Sequence, residues 1–334
     1  MLPFVSLIIP TLNEEKYLEQ TITNLLSNDY PESKFEILII DGLSKDNTLT
    51  IAQGFVNQFS NIRLISNPKI YQSAALNIGI QESKGDFIIR ADAHAIYDKN
   101  YITSTINLLQ KGEYQNVGPV QVSIGNTLIG KTIAKAMNSK IGMGNAKYRL
   151  DKTGVFEVQS VWLGAWKKET LIKINGFDEC LPISEDFDLN YRLRKSGGKI
   201  AASNSIKAMY IVRKSISGLF KQFYKYGFWK MKFLMKYPKE FQVRWLAPPV
   251  FVFSLLLSIL LSQLISWIII IPIIYLFLLF LITLYFMVTV NSLKDFLFST
   301  MLFLIFPVIH ISWGIGFLIG FFYWNCKKYI KISK

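Results

Sequence analysis

The sequence predicts an α/β fold with a mostly parallel sheet, followed by C-terminal transmembrane helices. Over the first hundred of its 334 residues, short β-rich apolar runs alternate with helical stretches, which is typical of βαβ units. From Pro248 to Val290 no side chain is charged, and a second apolar stretch runs from Phe296 to Trp324. Before Arg244, charged and apolar residues mix in the proportions of a globular domain.

The first hundred residues predict four strands and three helices. The strands are FVSLII, FEILII, IRLI and DFIIRA, and the helices between them begin at about Glu14, Asp46 and Tyr71. Ligands bind such sheets beyond the carboxyl ends of the strands. We therefore expect one crevice to be lined by the residues that follow the strands, which are Thr11, Asn13, Asp41, Asn67, Pro68, Asp92 and His94.

The next hundred residues are harder to interpret. Residues 112 to 155 are punctuated by glycine, and NSKIGMGNAKYRLD is typical of a mobile loop. From VQSVWLGAW the chain is predicted to resume a strand. SEDFDLNYRLRKSGG predicts a helix that is capped by Ser184 and ended by glycine.

The apolar C-terminal region predicts about three crossings, by helices over residues 248–264, 267–290 and 296–324. The uncharged stretch of 43 residues would rise roughly 65 Å as a helix, about twice the hydrocarbon thickness. The alternative is buried core helices of a large soluble protein. MLPFVSLIIP lacks a basic segment and its apolar run is short, so we expect no signal peptide.

The net charge of +14 lies mostly near this region. Residues 207–334 carry 15 Lys and Arg against 2 acids, whereas residues 1–206 carry 22 against 21. The distribution indicates anionic lipid headgroups as partners, and it argues against nucleic acid, which would need a basic patch on the globular domain. Cys180 and Cys326 form neither a disulfide framework nor a zinc spacing, as expected in a reducing cytosol.

The segment GLFKQFYKYGFWKMKFLMKYPK predicts an amphipathic interfacial helix. Its residues Lys221, Lys225, Lys232 and Lys236 fall within about 60° of one another on a helix. The alternative is an ordinary amphipathic helix that packs on the domain. The predicted domains are therefore a globular domain over 1–214, an interfacial segment over 215–245 and a membrane region over 246–334.

The positive-inside rule predicts a cytoplasmic globular domain and a multi-pass protein of the cell membrane. Ten basic residues and one acid lie between Lys207 and Arg244. Three crossings would nevertheless leave four C-terminal lysines outside, which conflicts with the same rule and would be relieved if one apolar segment were re-entrant. These lysines are Lys327, Lys328, Lys331 and Lys334.

Acidic residues at the end of a strand and at the start of a helix allow more than one interpretation. Asp41 ends a buried strand in ILIIDGLSKDNT, where it either closes a turn, with Asp46 capping the next helix, or accepts hydrogen bonds from a nucleotide's base or ribose. Glu185 and Asp186 open a helix, where acids are ordinary partners of the helix dipole.

Asp92 and His94 in RADAHAIY are candidate metal ligands. Residues i and i+2 of an extended segment point to the same side, so a carboxylate and an imidazole can approach one divalent cation, Mn²⁺ or Mg²⁺. Two protein ligands make a weak site, which suits a metal completed by substrate diphosphate. The alternative is a structural histidine.

Six motifs in this order and spacing resemble the inverting family 2 glycosyltransferases with a GT-A fold. They are LIIPTLNEEKYL, IDGLSKDNT, ALNIGI, ADAH, GFDE and SEDFDLNYRLRKSG, and the resemblance covers about residues 4 to 230. The form RADAHAIY is similar to membrane-anchored glucosyltransferases of succinoglycan-type exopolysaccharide synthesis.

The resemblance implies roles for particular residues. Asp41 would hold the uracil or ribose, Asp92 with His94 would replace the metal-binding Asp-x-Asp, and Asp186 would be the catalytic base. Because His replaces the second Asp, the metal preference stays open. Nucleotide-sugar contacts are implied for Pro10, Thr11, Asn13, Glu14, Asp41 and Asp92, and an acceptor or membrane side for Glu185, Gln222 and Tyr226.

The expected function is transfer of a sugar from a nucleotide sugar, such as a UDP-hexose, to a polyprenyl diphosphate-linked saccharide in cell-surface glycan synthesis. Processive synthases carry Gln-x-x-Arg-Trp where this chain has QFYKY, so a processive polymerase is not expected. The alternatives are a polyprenyl-phosphate sugar transferase, whose phosphate nucleophile needs no base, and a non-catalytic membrane assembly module. No Gly-rich pyrophosphate loop supports a nucleotidyltransferase.

Overall fold

The computed structural model describes residues 2–144, 146, 149, 153–289 and 292–332. Its internal contacts divide the chain into two compact units. The first unit comprises Met1–Val122 and Lys147–Ile211, and the second comprises Ser123–Ala146 and Val212–Lys334. The domain boundaries given by the sequence stay a prediction.

Eleven strands are present in the described part of the chain. They are β1 (Val5–Thr11), β2 (Phe35–Asp41), β3 (Ile62–Ser66), β4 (Phe87–Arg90), β5 (Ala95–Tyr97), β6 (Asn116–Pro119), β7 (Val122–Ile124), β8 (Val155–Glu157), β9 (Ala165–Lys167), β10 (Ile200–Ser203) and β11 (Ala208–Ile211).

The first unit is built on an eight-stranded mixed sheet of order β3-β2-β1-β4-β9-β6-β10-β8. The first four strands are parallel, β9 runs antiparallel between β4 and β6, and β10 is parallel to β6. A separate antiparallel ladder pairs β5 with β11. The expected α/β fold with a mostly parallel sheet is confirmed, and so are the four N-terminal strands.

Six α-helices lie in the described part of the first unit and cover its sheet. They are α1 (Leu18–Leu26), α2 (Thr48–Gln58), α3 (Gln72–Glu82), α4 (Tyr101–Gln110), α7 (Lys168–Lys173) and α8 (Glu185–Lys195). All seven residues of β2 are buried, because alternate side chains enter two cores. Ile37 and Ile39 join the core that contains α1 and α4, while Leu38 and Ile40 join the core that contains α3 and α8.

Three local predictions differ from the structure. Of VQSVWLGAW only the last two residues belong to a strand, since Trp162 lies in a turn where Leu163 adopts a left-handed φ of 51°. Ser184 precedes α8 but makes no capping bond, because its own φ is 71°. Within the predicted loop NSKIGMGNAKYRLD, residues 140–143 form a helix, while 145, 147–148 and 150–151 lie outside the described residues.

The second unit is helical. Its helices are α5 (Leu128–Met137), α6 (Lys140–Met143), α9 (Ile216–Lys236), α10 (Ala247–Leu261), α11 (Ile270–Val288), α12 (Leu293–Thr300) and α13 (Leu302–Ile332). Three segments among the described residues are long and apolar enough to cross a membrane, which are Val243–Leu261, Ser266–Val288 and Phe298–Cys326.

Helices α9 and α13 approach each other closely through glycine. A Cβ on Gly316 would collide with the carbonyl of Tyr224, and one on Gly320 would lie 2.7 Å from the carbonyl oxygen of Phe228. From the first contact to the second, the residue on α13 moves four positions along the chain, from Gly316 to Gly320, and the residue on α9 also moves four, from Tyr224 to Phe228. The two helices therefore run side by side in the same direction, with a small-xxx-small pattern at the contact.

Candidate active site

The carboxyl ends of β1 and β2 bring Thr11 and Asp41 together, as the register of the two parallel strands requires. The Thr11 hydroxyl donates to Asp41 Oδ1 at 3.2 Å. Asp41 is buried and also accepts from the Ser44 hydroxyl at 2.6 Å and the Ser44 amide at 2.9 Å. Its carboxylate therefore closes the turn after β2, and a contact with a nucleotide stays a prediction.

The segment after β1 is tied to the loop after β2. Asn13 Oδ1 accepts from the Lys45 amide at 2.8 Å, and the Asn13 amide donates to the Ser44 hydroxyl at 2.9 Å. The amide of Glu14 donates to the Thr48 hydroxyl at 2.7 Å. These reciprocal bonds fix the two loops that follow β1 and β2, beside half-buried Pro10.

Asp92 follows β4 and is held on both carboxylate oxygens. Arg90 Nε donates to Oδ1 at 2.9 Å, and the indole Nε1 of Trp162 donates to Oδ2 at 2.9 Å. Burial raises the pKa of Asp92, but the charges of Arg90 and His94 and the hydrogen bonds from Arg90 and Trp162 together outweigh burial and leave the pKa below its ordinary value. Asp92 is thus an ionised carboxylate of fixed orientation.

Arg90 joins this strand end to the start of α8. Its Nη1 donates to Glu185 Oε1 at 3.0 Å, and both side chains are buried. Burial and the neighbouring charge of Asp186 raise the pKa of Glu185 to about 7, against the opposing charge of Arg90. Asp186 is half-buried and accepts from the Phe187 amide at 2.8 Å.

His94 lies two residues after Asp92 and is oriented by a carboxylate. Its Nδ1 lies 3.2 Å from Glu14 Oε1, and its ring packs edge-on against Tyr210 at 5.6 Å. With the Nδ1 proton donated to Glu14, Nε2 carries the lone pair that can bind a metal. A carboxylate behind a ligating imidazole is the usual arrangement of metal-bound histidine.

The donor set fits a divalent cation in its chemistry but is small. Among the residues that the structure describes, no group of three or more His, Cys, Asp or Glu side chains is placed to hold a metal ion. Asp92 and His94 supply one carboxylate and one imidazole, which suit Mn²⁺ or Mg²⁺. Such a cation would need further oxygen ligands from a substrate or water.

Backbone strain is found next to three of these side chains. Asn13, Leu163 and Ser184 have φ values of 57°, 51° and 71°, and they adjoin Glu14, Trp162 and Glu185 respectively. Each left-handed non-glycine residue costs on the order of 1–3 kcal/mol.

Sequence reasoning missed the residues that hold the site together. Arg90 is a charge inside an otherwise apolar strand, two residues before Asp92 and so on the same side, which is a readable signal. Trp162 gave no comparable signal. In ALNIGI, the side chain of Asn77 closes the GFDE loop. Its Nδ2 donates to the Phe177 carbonyl at 2.9 Å, and its Oδ1 accepts from the backbone amide of Phe177 at 2.8 Å.

The predicted acceptor-side residues divide between the two units. Glu185 lies in the first unit beside Arg90. Gln222 and Tyr226 lie one turn apart on α9 in the second unit, where Gln222 Nε2 donates to the Tyr226 hydroxyl at 2.8 Å.

A mixed sheet of this order, with an acidic strand end and a Glu-Asp pair at a helix start, defines a nucleotide-sugar-binding domain of the GT-A kind. The profile of "Glycosyl transferase family 2" matches residues 6–164. A relative from Methanococcus voltae is 33% identical over 275 residues, which are 79% of this chain and 84% of the relative. The chain belongs to glycosyl transferase family 2 and is a glycosyltransferase.

The predicted family and GT-A fold are thus confirmed. The Methanococcus voltae relative is named dolichyl N-acetyl-alpha-D-glucosaminyl phosphate 3-beta-D-2,3-diacetamido-2,3-dideoxy-beta-D-glucuronosyltransferase. Succinoglycan biosynthesis protein ExoA of Rhizobium meliloti (strain 1021) is 29% identical over 272 residues, 80% of each chain. The structure of mannosyltransferase PcManGT from Pyrobaculum calidifontis, with GDP-Man and Mn²⁺, aligns at a TM-score of 0.59 and 17% identity over 96% of this chain and 88% of that one. That likeness shows the fold alone.

Proposed function

We propose that this enzyme moves a hexose from a UDP-sugar to a saccharide linked to polyprenyl diphosphate, with inversion, in cell-surface glycan synthesis. The observation that carries the proposal is the buried bridge of Arg90 between Asp92 and Glu185, at 2.9 and 3.0 Å. It connects the predicted donor-binding strand end to the predicted base-bearing helix. The names of the two curated relatives support a lipid-linked acceptor and an exopolysaccharide product.

Asp186 is the proposed catalytic base. The acceptor hydroxyl oxygen forms a bond to the anomeric carbon while the bond to the phosphate oxygen breaks, and Asp186 accepts the hydroxyl proton as UDP leaves. Glu185 is buried and its Oε1 is bound to Arg90, so it is the less accessible of the two acids. Its proposed role is to position Arg90 and the start of α8.

Asp92 and His94 are the proposed metal ligands, with Glu14 orienting the imidazole ring. The cation would be Mn²⁺ or Mg²⁺, and when bound it offsets the negative charge that develops on the diphosphate leaving group. The remaining donor contacts are proposed for residues that the strand ends fix, namely Pro10, Thr11, Asn13 and Asp41.

The proposed location is the cell membrane, with the first unit in the cytoplasm. The second unit carries 17 Lys and Arg against 2 acids, which supports binding to the anionic inner face. The C-terminal half of α13 runs beside the basic helix α9 in the same direction, so we place both helices at the membrane surface. Helices α10 and α11 are then the two segments that cross the membrane. The C-terminal lysines then lie on the cytoplasmic side, as the positive-inside rule favours.

The test is substitution of the base with donor binding as a second readout. Asp186→Asn keeps the size of the side chain but cannot take a proton, so transfer should fall by about 10² to 10⁴ while calorimetric binding of UDP-sugar with Mn²⁺ survives. Asp29→Asn, an exposed Asp of the same unit, is the matched control and should transfer at the normal rate.

Two results would contradict the proposal. Transfer by Asp186→Asn at a near-normal rate would show that Asp186 is only a helix-start acid. A product that is a lipid monophosphate sugar, instead of an extended lipid-linked saccharide, would identify a polyprenyl-phosphate sugar transferase.

A further inference from the structure

A cavity of about 650 Å³ lies within the second unit, between the turn that joins α5 to α6 and the last turn of α11. We infer that it binds the phosphate group of the lipid-linked acceptor, a polyprenyl phosphate or diphosphate. The inference rests on the proposed lipid acceptor and deepens it, since it assigns to the lipid phosphate a site separate from the donor residues. The residues that argue for it are Lys135, Lys140, Tyr285, Phe286 and Ile141.

The charged part of the lining is cationic. Lys135 and Lys140 both line the cavity, and no acidic residue is among its described lining residues. Lys135 Nζ donates to the Ser299 hydroxyl at 2.8 Å and lies 5.4 Å from the ring centre of Phe286, so its position is fixed. Lys140 is exposed. Two ammonium groups facing one cavity favour an anionic ligand.

The uncharged polar residues of the turn hold its shape. Asn138 Oδ1 accepts from the Ser123 amide at 2.9 Å, and Asn138 Nδ2 donates to the Ser123 carbonyl at 2.9 Å. The Ser139 hydroxyl accepts from the Gly142 amide at 3.1 Å and donates to the Ala136 carbonyl at 2.7 Å. The turn is thus pre-formed with a lysine on each side, and the ammonium groups of Lys135 and Lys140 are the groups offered to a ligand.

The other wall of the cavity belongs to an apolar helix. Tyr285 and Phe286 lie in the last turn of α11, which is part of a segment long and apolar enough to cross a membrane. Ile141 also lines the cavity and adds apolar surface to it. A ligand that pairs with the lysines and also packs against the apolar helix carries an anionic head group beside a long hydrocarbon chain. A lipid phosphate has both parts, whereas a free nucleotide or a peptide does not.

The negative end of the α11 dipole could by itself explain the position of Lys135, but not that of Lys140. A cation near a helix C-terminus is favourable in itself, and Lys135 lies beside Phe286 in that last turn. Lys140 makes no ion pair with the residues that the structure describes, and its charge is left for a ligand.

Binding measurements on the full-length protein in phosphatidylcholine nanodiscs test the inference. The probes are polyprenyl phosphate, polyprenyl diphosphate, polyprenol, phosphatidylglycerol and inorganic phosphate. The double variant Lys135→Gln with Lys140→Gln should weaken binding of both polyprenyl phosphates by at least about tenfold, since the bound phosphate would lose two direct charge-assisted hydrogen bonds. Phosphatidylglycerol binding should change much less, and UDP-sugar binding should not change.

The matched comparison is Lys221→Gln with Lys225→Gln, which removes the same charge from an exposed face of α9. This variant should weaken polyprenyl phosphate and phosphatidylglycerol alike, and by less than tenfold. Equal losses for both lipids in the cavity variant would overturn the inference in favour of a general anionic-lipid surface. Equal affinity of the wild type for polyprenol and polyprenyl phosphate would also overturn it, as would binding of inorganic phosphate as tight as that of the lipid.

Failure here is distinguishable from failure of the proposed function. If the cavity variant loses polyprenyl phosphate binding and Asp186→Asn transfers at a normal rate, the lipid-phosphate site is supported and the proposed catalytic mechanism is contradicted. Unchanged lipid binding in the cavity variant, together with a slow Asp186→Asn enzyme, would do the reverse.

Discussion

The two units of the chain are held together by different kinds of interaction. The first unit has 20 Lys and Arg against 21 acids, and its buried Arg90 is paired with the buried carboxyl groups of Asp92 and Glu185. The second unit has 17 against 2. Its buried Lys230 lies over the aromatic rings of Phe233 and Trp245, at 5.1 and 4.9 Å.

The two units are therefore sensitive to different kinds of substitution. Directional bonds between charged groups fix the candidate site of the first unit, so removing one charge there leaves others buried without a partner. Close contact of helix backbones at glycine fixes α9 against α13, so adding one methyl group there should matter most.

The largest expected effect is all-or-none and concerns the side of the membrane on which each unit lies. The native thiols Cys180 and Cys326 are both exposed, one in each unit. Single-cysteine proteins made by Cys326→Ser and Cys180→Ser should both resist a membrane-impermeant maleimide in intact cells, and both should react after permeabilisation. Labelling of Cys326 alone in intact cells would mean that α13 crosses the membrane after all. Labelling of Cys180 would reverse the whole orientation.

Next in size is the loss of the central charge in the first unit. Arg90→Gln leaves Asp92 and Glu185 buried without their cation, which should lower the free energy of unfolding by about 3–5 kcal/mol. Lys69→Gln is the control, because Lys69 and its partner Glu179 have side chains that are 64% and 34% exposed, so the cost should stay within about 1 kcal/mol. Chemical denaturation followed by hydrogen exchange in α8 measures both, and equal costs would contradict the comparison.

The sequence predicted most of the first unit because its signals are local. The strands of the parallel sheet are continuous apolar runs, and the acids that end them are visible as interruptions, as at Asp41 and Asp92. The helices begin one to four residues later than predicted, since turn residues such as Asn13 and Asp46 bind the neighbouring loop first.

The remaining features depend on contacts between distant residues. Trp162 reaches Asp92 from 70 positions away along the chain, and its strand-like surroundings gave no hint of a turn. Helix α5 was missed because glycine-punctuated sequence hides its period, and its residues belong with the C-terminal helices. The pairing of α9 with α13 also required the structure, although the spacing of Gly316 and Gly320 was readable as a close-contact pattern.

The raised pKa of Glu185 gives a pH dependence with a definite sign. Between about pH 4.5 and 7 this carboxyl is protonated in the folded state and ionised in the unfolded state, so the folded state binds more protons. Wild-type stability should therefore fall relative to Glu185→Gln as the pH rises through that window, by about 3 kcal/mol. Thermal melts of both proteins from pH 4.5 to 8 measure it, and a constant difference between them would show that Glu185 is ionised throughout.

The smallest effect compares one glycine from each unit, and its sign is the test. At Gly54 in α2 a Cβ would meet no atom within 4 Å, so Gly54→Ala should stabilise the protein by about 0.5–1 kcal/mol through helix propensity alone. At Gly316 the same methyl group would meet the backbone of Tyr224, which cannot rotate away. The overpacking cost of about 1–3 kcal/mol should exceed the propensity gain and leave Gly316→Ala destabilised by about 1 kcal/mol.

Hydrogen exchange reads the two glycines separately, because peptides from α2 report on Gly54 and peptides from α9 and α13 report on Gly316. Slower exchange in α2 for Gly54→Ala and faster exchange in α9 and α13 for Gly316→Ala are expected together. If Gly316→Ala instead slows exchange in both helices, the backbones can move apart at little cost. The second unit would then owe its order to its aromatic contacts, such as Phe228 with Trp324 at 5.3 Å, and not to glycine.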